Sequence, residues 1–250
     1  MTTHLDLRDI SVSFNGFKAL NGLNLSVRKG ELRCLIGPNG AGKTTALDII
    51  CGKVKPSTGA VTFDGTALQD LEEHEIARAG VGRKFQVPSV FRDLTVAENL
   101  EVARARRPGV WANLRWDVRR AGRADIERLA ELIGLTEHLE RPAAYLSHGQ
   151  TQWLEIGMLV AQDVELILMD EPTAGMTAQE TRKTAELFER LRGKHTLIVV
   201  EHDMGFVKAI GDIISVMHMG QLLAEGTAAE VEAHPEVRRA YLGSGGITNA

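Results

Sequence analysis

Gly37-Pro38-Asn39-Gly40-Ala41-Gly42-Lys43-Thr44 fits the pattern G-x-x-x-x-G-K-[ST] at every fixed position. That pattern dictates its own surroundings, because a strand must end just before it and a helix begin just after. Leu32-Arg33-Cys34-Leu35-Ile36 reads as a short buried strand, and Thr45 to Ile50 as the start of a helix. Glycines let the backbone curl until several N–H groups converge on one spot. The helix adds the positive end of its dipole, so the loop suits a polyphosphate. The candidate nucleotide cradle therefore runs through Gly37, Pro38, Asn39, Gly40, Ala41, Gly42, Lys43, Thr44 and Thr45. Within it Lys43 is suited to the β- and γ-phosphates and the Thr44 hydroxyl to Mg²⁺.

A chain of 250 residues, 44% hydrophobic and 25% charged, can bury a sizeable core as one domain or as a domain with an inserted subdomain. Its formal net charge of −4 makes no electrostatic case for nucleic acid as a partner. No apolar run reaches bilayer-spanning length, and Met1-Thr2-Thr3-His4 lacks a signal-peptide pattern. The expectation is a cytosolic chain, unless a partner holds it at a membrane. Cys34 and Cys51 fall on apolar stretches without a His or Cys cluster, which predicts buried, reduced thiols.

Along the chain, Leu5 to Phe14 and Leu23, Leu25 and Val27 alternate as half-buried antiparallel strands do, and Val61 and Phe63 extend the same kind of sheet. A short helix is predicted over Glu72 to Arg78 and a strand over Val81 to Phe85. Thr95-Val96-Ala97-Glu98 is a capping box, and Leu100, Ala103, Ile126, Leu129, Ile133, Trp153, Ile156 and Val160 keep helical spacing. Roughly Leu94 to Gln162 thus reads as a helical insertion in an α/β frame. The arginines of Arg104 to Arg123, with Trp111 and Trp116 among them, read as a solvated helical face. Strands return at Leu166 to Met169, Thr196 to Val200 and Ile213 to Met217, with helices capped at Thr177 and Thr227. Gly243 to Ala250 reads as a loose tail.

Asp170 and Glu171 end the apolar run Leu166-Ile167-Leu168-Met169. A carboxylate at the C-terminal end of a buried parallel strand faces the crevice where ligands bind. There Asp170 suits Mg²⁺, and Glu171 suits polarising an attacking water. Leu146-Ser147-His148-Gly149-Gln150, just before a helix, resembles the L-S-G-G-Q signature of ABC-type ATPases, with His148 in place of a glycine. Phe85-Gln86 resembles that family's Q-loop and Val200-Glu201-His202-Asp203 its switch-histidine segment. Phe14 stands where an upstream aromatic stacks on adenine.

The resemblance implies a RecA-like P-loop NTPase core with an antiparallel β subdomain and an inserted α-helical signature subdomain. The ATP-binding domain would cover residues 1–242, with the helical subdomain at about 94–162. It also implies ATP and Mg²⁺ as cofactors and pairing with a second ATP-binding subunit. Each nucleotide would lie between one subunit's phosphate loop and the other's Ser147-His148-Gly149-Gln150. Lys43, Glu171 and His202 would be catalytic, with Gln86 sensing Mg²⁺ and water. Thr44, Gln86 and Asp170 would serve the metal. Val87 to Leu94 would dock on two transmembrane permease subunits, served in turn by a periplasmic substrate-binding protein. The expected location is the cytoplasmic face of the inner membrane.

Gly82 to Pro88, Gln152 to Met158 and Ala174 to Thr177 resemble the importer branch for branched-chain amino acids and urea. Within that branch Ser147-His148-Gly149-Gln150 with Trp153-Leu154-Glu155 most resembles the urea importer, so urea is the expected cargo. Branched-chain amino acids are the alternative, and a soluble non-transport ABC ATPase a further one. Thr177 departs from the aspartate common at its position and reads as an N-cap.

Overall fold

The computed structural model of the chain describes residues 2–84, 90–104 and 118–242. Gln86, with Phe85, Val87, Pro88, Trp111, Trp116 and the tail from Gly243, lies outside them. The described residues form two compact units, one drawn from Met1–Arg83, Glu165–Pro172 and Leu191–Ala250, the other from Lys84–Val164 and Thr173–Arg190.

The first unit holds two sheets. Strands β1 (Thr3–Phe14) and β2 (Phe17–Arg28) form an antiparallel hairpin. Its turn is Asn15-Gly16, both left-handed at φ 49° and 86°, the pairing that matches the natural twist of a hairpin. β4 (Thr58–Phe63) pairs antiparallel with β1, and β5 (Thr66–Ala67) with β4, to complete a four-stranded sheet.

The second sheet has six strands. Its order is β10 (Gln221–Gly226), β9 (Ile213–His218), β3 (Leu32–Ile36), β8 (Thr196–Val200), β7 (Leu166–Asp170) and β6 (Val81–Lys84). β3 runs parallel to both β8 and β9, and β7 parallel to β8. Every residue of β3, β7 and β8 is buried, as the continuous apolar runs of interior parallel strands require. One hydrophobic core joins the inner faces of both sheets, with Leu5, Leu7 and Leu23 on one side and Leu35, Leu168 and Ile198 on the other. Helix α1 (Lys43–Ile50) adds Ala46, Leu47 and Ile50 to that core. Cys34 and Cys51 are free thiols, and burial pushes the Cys34 thiol up to about 12. Also in this unit are α2 (Glu73–Arg78), α7 (Met204–Ile210), α8 (Ala228–Ala233) and α9 (Pro235–Leu242).

The second unit is helical: α3 (Val96–Arg104), α4 (Val118–Leu132), α5 (His148–Ala161) and most of α6 (Ala178–Leu191). Reciprocal hydrogen bonds between Thr95 and Glu98 open α3. Leu100, Ile126, Ala130, Ile133, Leu154, Ile156 and Phe188 are buried here, at the helical spacing that builds an apolar face. The Trp153 indole donates to the Thr184 hydroxyl at 2.9 Å, tying α5 to α6. Among the described residues, no helix is long and apolar enough to cross a membrane.

Candidate functional site

The phosphate loop leaves the C-terminal end of β3 and leads into α1, whose N-cap is Gly42 at φ 99°. Gly37 is glycine for two reasons. Its φ is 155°, and an added Cβ would lie 2.3 Å from the Met217 carbonyl oxygen, so backbone occupies the space of a side chain. Lys43, buried at the start of α1, bends back so that Nζ donates to the Gly37 carbonyl at 2.7 Å and the Pro38 carbonyl at 3.1 Å. Burial pulls its ammonium below the usual lysine value, against the opposing pull of Asp170 and Glu171.

Parallel register brings the acidic strand end to the loop. Asp170 is the last residue of β7, and its carboxylate accepts from the Thr44 hydroxyl at 3.0 Å. Arg83, on β6, places Nη2 3.8 Å from Asp170 and forms an ion pair with Asp48 of α1. This arginine joins the phosphate-loop helix to the acidic strand, and sequence reasoning missed it. No local pattern in Val81-Gly82-Arg83-Lys84 marks it, because both of its acidic neighbours lie far away in sequence.

Asp170 pairs in register with Val200, so the residues that follow both strands emerge side by side. Glu171 donates its backbone N–H to the Val200 carbonyl at 2.9 Å and sits in the left-handed region at φ 47°. A non-glycine residue held there marks stored strain, which concentrates at functional sites. The Glu171 Oε1 and His202 Nε2 atoms are 2.7 Å apart, both side chains part-exposed. Phe14, at the hairpin end, is 46% exposed, an aromatic face open to solvent.

The signature residues belong to the helical unit. Ser147 is the N-cap of α5, its hydroxyl accepting from the Gln150 amide while the Gln150 side chain returns the bond to the Ser147 amide. His148 turns its ring onto the Ala174 carbonyl, with Nε2 at 3.0 Å. A carbonyl can only accept, so Nε2 carries the proton in that contact. Thr177 is an N-cap, bonded reciprocally with Glu180. The Glu180 carboxylate also accepts from the Ser147 hydroxyl, a link invisible in the sequence.

The donor set fits a nucleoside triphosphate with a divalent ion. A lysine ammonium and a helix N-terminus suit phosphates, and a hydroxyl beside a buried carboxylate suits Mg²⁺, which takes few protein ligands when phosphates supply the rest.

A phosphate loop at the end of a central parallel strand, an acidic neighbouring strand end and a paired glutamate and histidine define a P-loop nucleoside triphosphatase. The profile of the ABC transporter family matches residues 20–174, and that of the branched-chain amino acid ATP-binding cassette transporters matches residues 221–247. The high-affinity branched-chain amino acid transport ATP-binding protein LivG of Salmonella typhimurium is 40% identical, over 96% of this chain and 97% of its own. BraF of Pseudomonas aeruginosa, named for the same transport, is 37% identical over 96% and 97%. Among solved structures, the ADP conformation of MJ1267, an ATP-binding cassette of an ABC transporter, superposes with a TM-score of 0.82. It shares 31% identity and is covered along 100% of its length and 97% of this chain.

The chain belongs to the ATP-binding cassettes of ABC transporters, in the group that includes LivG and BraF. Its fold is the RecA-like P-loop core with an antiparallel β subdomain and an inserted helical region. It is an ATPase, and ATP and Mg²⁺ are its cofactors.

The relatives and the second profile correct the expectation of the urea branch. That expectation leaned on the start of α5. Trp153, its most distinctive residue, is 4% exposed and bonded to Thr184, so it packs helices rather than reading cargo.

Proposed function

We propose that the chain is the ATP-hydrolysing subunit of an ABC importer for branched-chain amino acids. Its likeness to LivG along almost the full length of both chains carries the cargo assignment. Its partners are a second ATP-binding subunit, two transmembrane permease subunits and, through them, a periplasmic binding protein. The chain works at the cytoplasmic face of the membrane, with residues 1–242 as its ATP-binding domain.

In this reading Phe14 stacks on adenine, and the amides from Gly37 to Thr45 and the Lys43 ammonium hold the phosphates. Thr44, Asp170 and Gln86 would hold Mg²⁺, which supplies charge neutralisation on the phosphate oxygens. Glu171 takes a proton from the attacking water, and a general base must reach that proton directly. His202, 2.7 Å from Glu171, holds the carboxylate in place and presents its imidazole to the γ-phosphate. Ser147, His148, Gly149 and Gln150 form the face that meets the partner's nucleotide, where a helix N-terminus favours an anion.

Reconstitution in vesicles with the permease subunits tests the cargo. The leucine-loaded binding protein should stimulate ATP hydrolysis, and the empty one should not. Equal rates with both would refute the assignment.

A further inference from the structure

One carboxylate in the helical unit takes donors from the starts of two helices. Glu180, in the first turn of α6, accepts at Oε2 from the Thr177 amide and hydroxyl, each at 2.9 Å. Its Oε1 accepts from the Ser147 hydroxyl at 3.0 Å, and the Gly149 amide donates to the same carboxylate. A Cβ added to Gly149 would lie 2.6 Å from Glu180 Oε1 and 2.7 Å from Cδ, so only glycine there lets an acid this close to the amides of α5. These donors, the Thr177 amide first among them, hold the Glu180 carboxyl below the usual glutamate range.

An anion therefore already rests against the Ser147 hydroxyl and the Gly149 amide. We propose that Glu180 is a positioning residue that stands in for phosphate at the signature of the unpaired cassette and must withdraw when ATP closes the pair. The inference rests on the reading that Ser147 to Gln150 face the partner's γ-phosphate. A phosphate oxygen bonded to the same two donors would lie within a few ångströms of the Glu180 carboxylate, and like charges so placed repel. While seated, Glu180 keeps Ser147 and Gly149 aligned as donors, and the repulsion sets a threshold that nucleotide must overcome before two cassettes close.

Glu180→Gln isolates the charge. Glutamine serves a capping box as glutamate does, so the start of α6 is preserved, while its neutral oxygen binds the two donors less strongly. Pairing would be followed by sedimentation against ATP concentration, in a Glu171→Gln background that slows turnover. Glu180→Gln should tighten pairing about tenfold for each signature, hence about a hundredfold for a symmetric pair. The ATP affinity of the single chain should stay within about twofold. Damage to the α6 cap alone would move pairing the other way. Pairing equal to or weaker than the parent, including none, overturns the proposal. Ser147→Ala separates the two claims. If it pairs as well as the parent, the signature does not meet the nucleotide, and the underlying reading has failed rather than the role of Glu180 within it.

Discussion

Arg33 lies in β3, the strand that delivers the phosphate loop, and its guanidinium is 3% exposed. It donates to Glu31 Oε1 at 2.6 Å, to the Ser215 hydroxyl at 2.7 Å and to the Ser26 carbonyl at 2.8 Å, and it pairs with Glu225. Arg33→Met keeps the length and apolar bulk of the side chain but leaves the Glu31 carboxylate, itself 8% exposed, without its cation. Breaking a buried pair from one side costs about 3–5 kcal/mol, because the remaining charge is stranded away from water. At about 2–4 °C per kcal/mol for a chain of this size, the melting temperature should fall by about 6–20 °C. Glu31→Gln combined with Arg33→Met removes the stranded charge and should recover at least half of the loss. No partner of Arg33 belongs to the phosphate loop, so the ATP affinity of the folded protein should be unchanged. Calorimetry of the two variants, with ATP titrations below the transition, reads all three quantities. A single variant losing less than about 1 kcal/mol, or a double variant no better than the single, would refute the reasoning.

Glu171→Gln should retain Mg-ATP binding and slow hydrolysis by about 10²–10⁴-fold, the usual effect of losing a general base; near-normal turnover removes Glu171 from that role. His4 is buried against Thr196, and burial, helped by Lys29 and opposed by Glu165, holds its imidazole below 6.5. The unfolded chain then binds the extra proton more readily, so the contribution of His4 is fully present above about pH 6.5 and is lost as pH falls toward the folded value. His4→Gln should flatten the decline in melting temperature between about pH 7 and pH 5, and parallel profiles for the two proteins would discard this account. Phe91 is 50% exposed, while its backbone is pinned by the wholly buried Asn99 at 2.8 and 3.0 Å. Phe91→Ala should weaken co-purification with the permease subunits and spare ATP affinity, and an intact complex would leave Phe91 without a docking role.

The phosphate loop, the buried strands and the helix caps were legible because each carries a local residue pattern: a fixed motif, a continuous apolar run or a capping box. Leu166 to Met169 predicted β7, and Thr95, Thr177 and Thr227 open helices where their capping boxes stand. The hairpin was read short. Only Leu23 to Val27 alternates cleanly, whereas β2 begins at Phe17, because the register shifts against β1 disturb the period of two. The Asn15-Gly16 turn was the missed signal. What stayed hidden was spatial. Nothing local says that Arg83 reaches both Asp48 and Asp170, or that His148 bonds Ala174. Cargo was read wrongly because the stretch that favoured urea joins the signature, Ser147 to Gln150, to the packed Trp153, so it bears on the ATPase and not on what it moves.

The Met217 carbonyl that fills the space beside Gly37 has a consequence for how the chain is made. The same corner is fastened by the Gly220 amide, which donates to the Ala41 carbonyl at 3.0 Å, and by the Gly220 carbonyl, which accepts from the Asn21 amide at 3.0 Å. The loop motif thus leaves the ribosome long before the wall it leans on. At about 5–20 residues per second, translation leaves the loop unbraced for roughly ten to forty seconds. A chain stopped short of Met217 carries every residue of the phosphate loop and lacks the backbone that sets its shape. The backbone that braces the loop is therefore complete only when the β9–β10 hairpin has emerged.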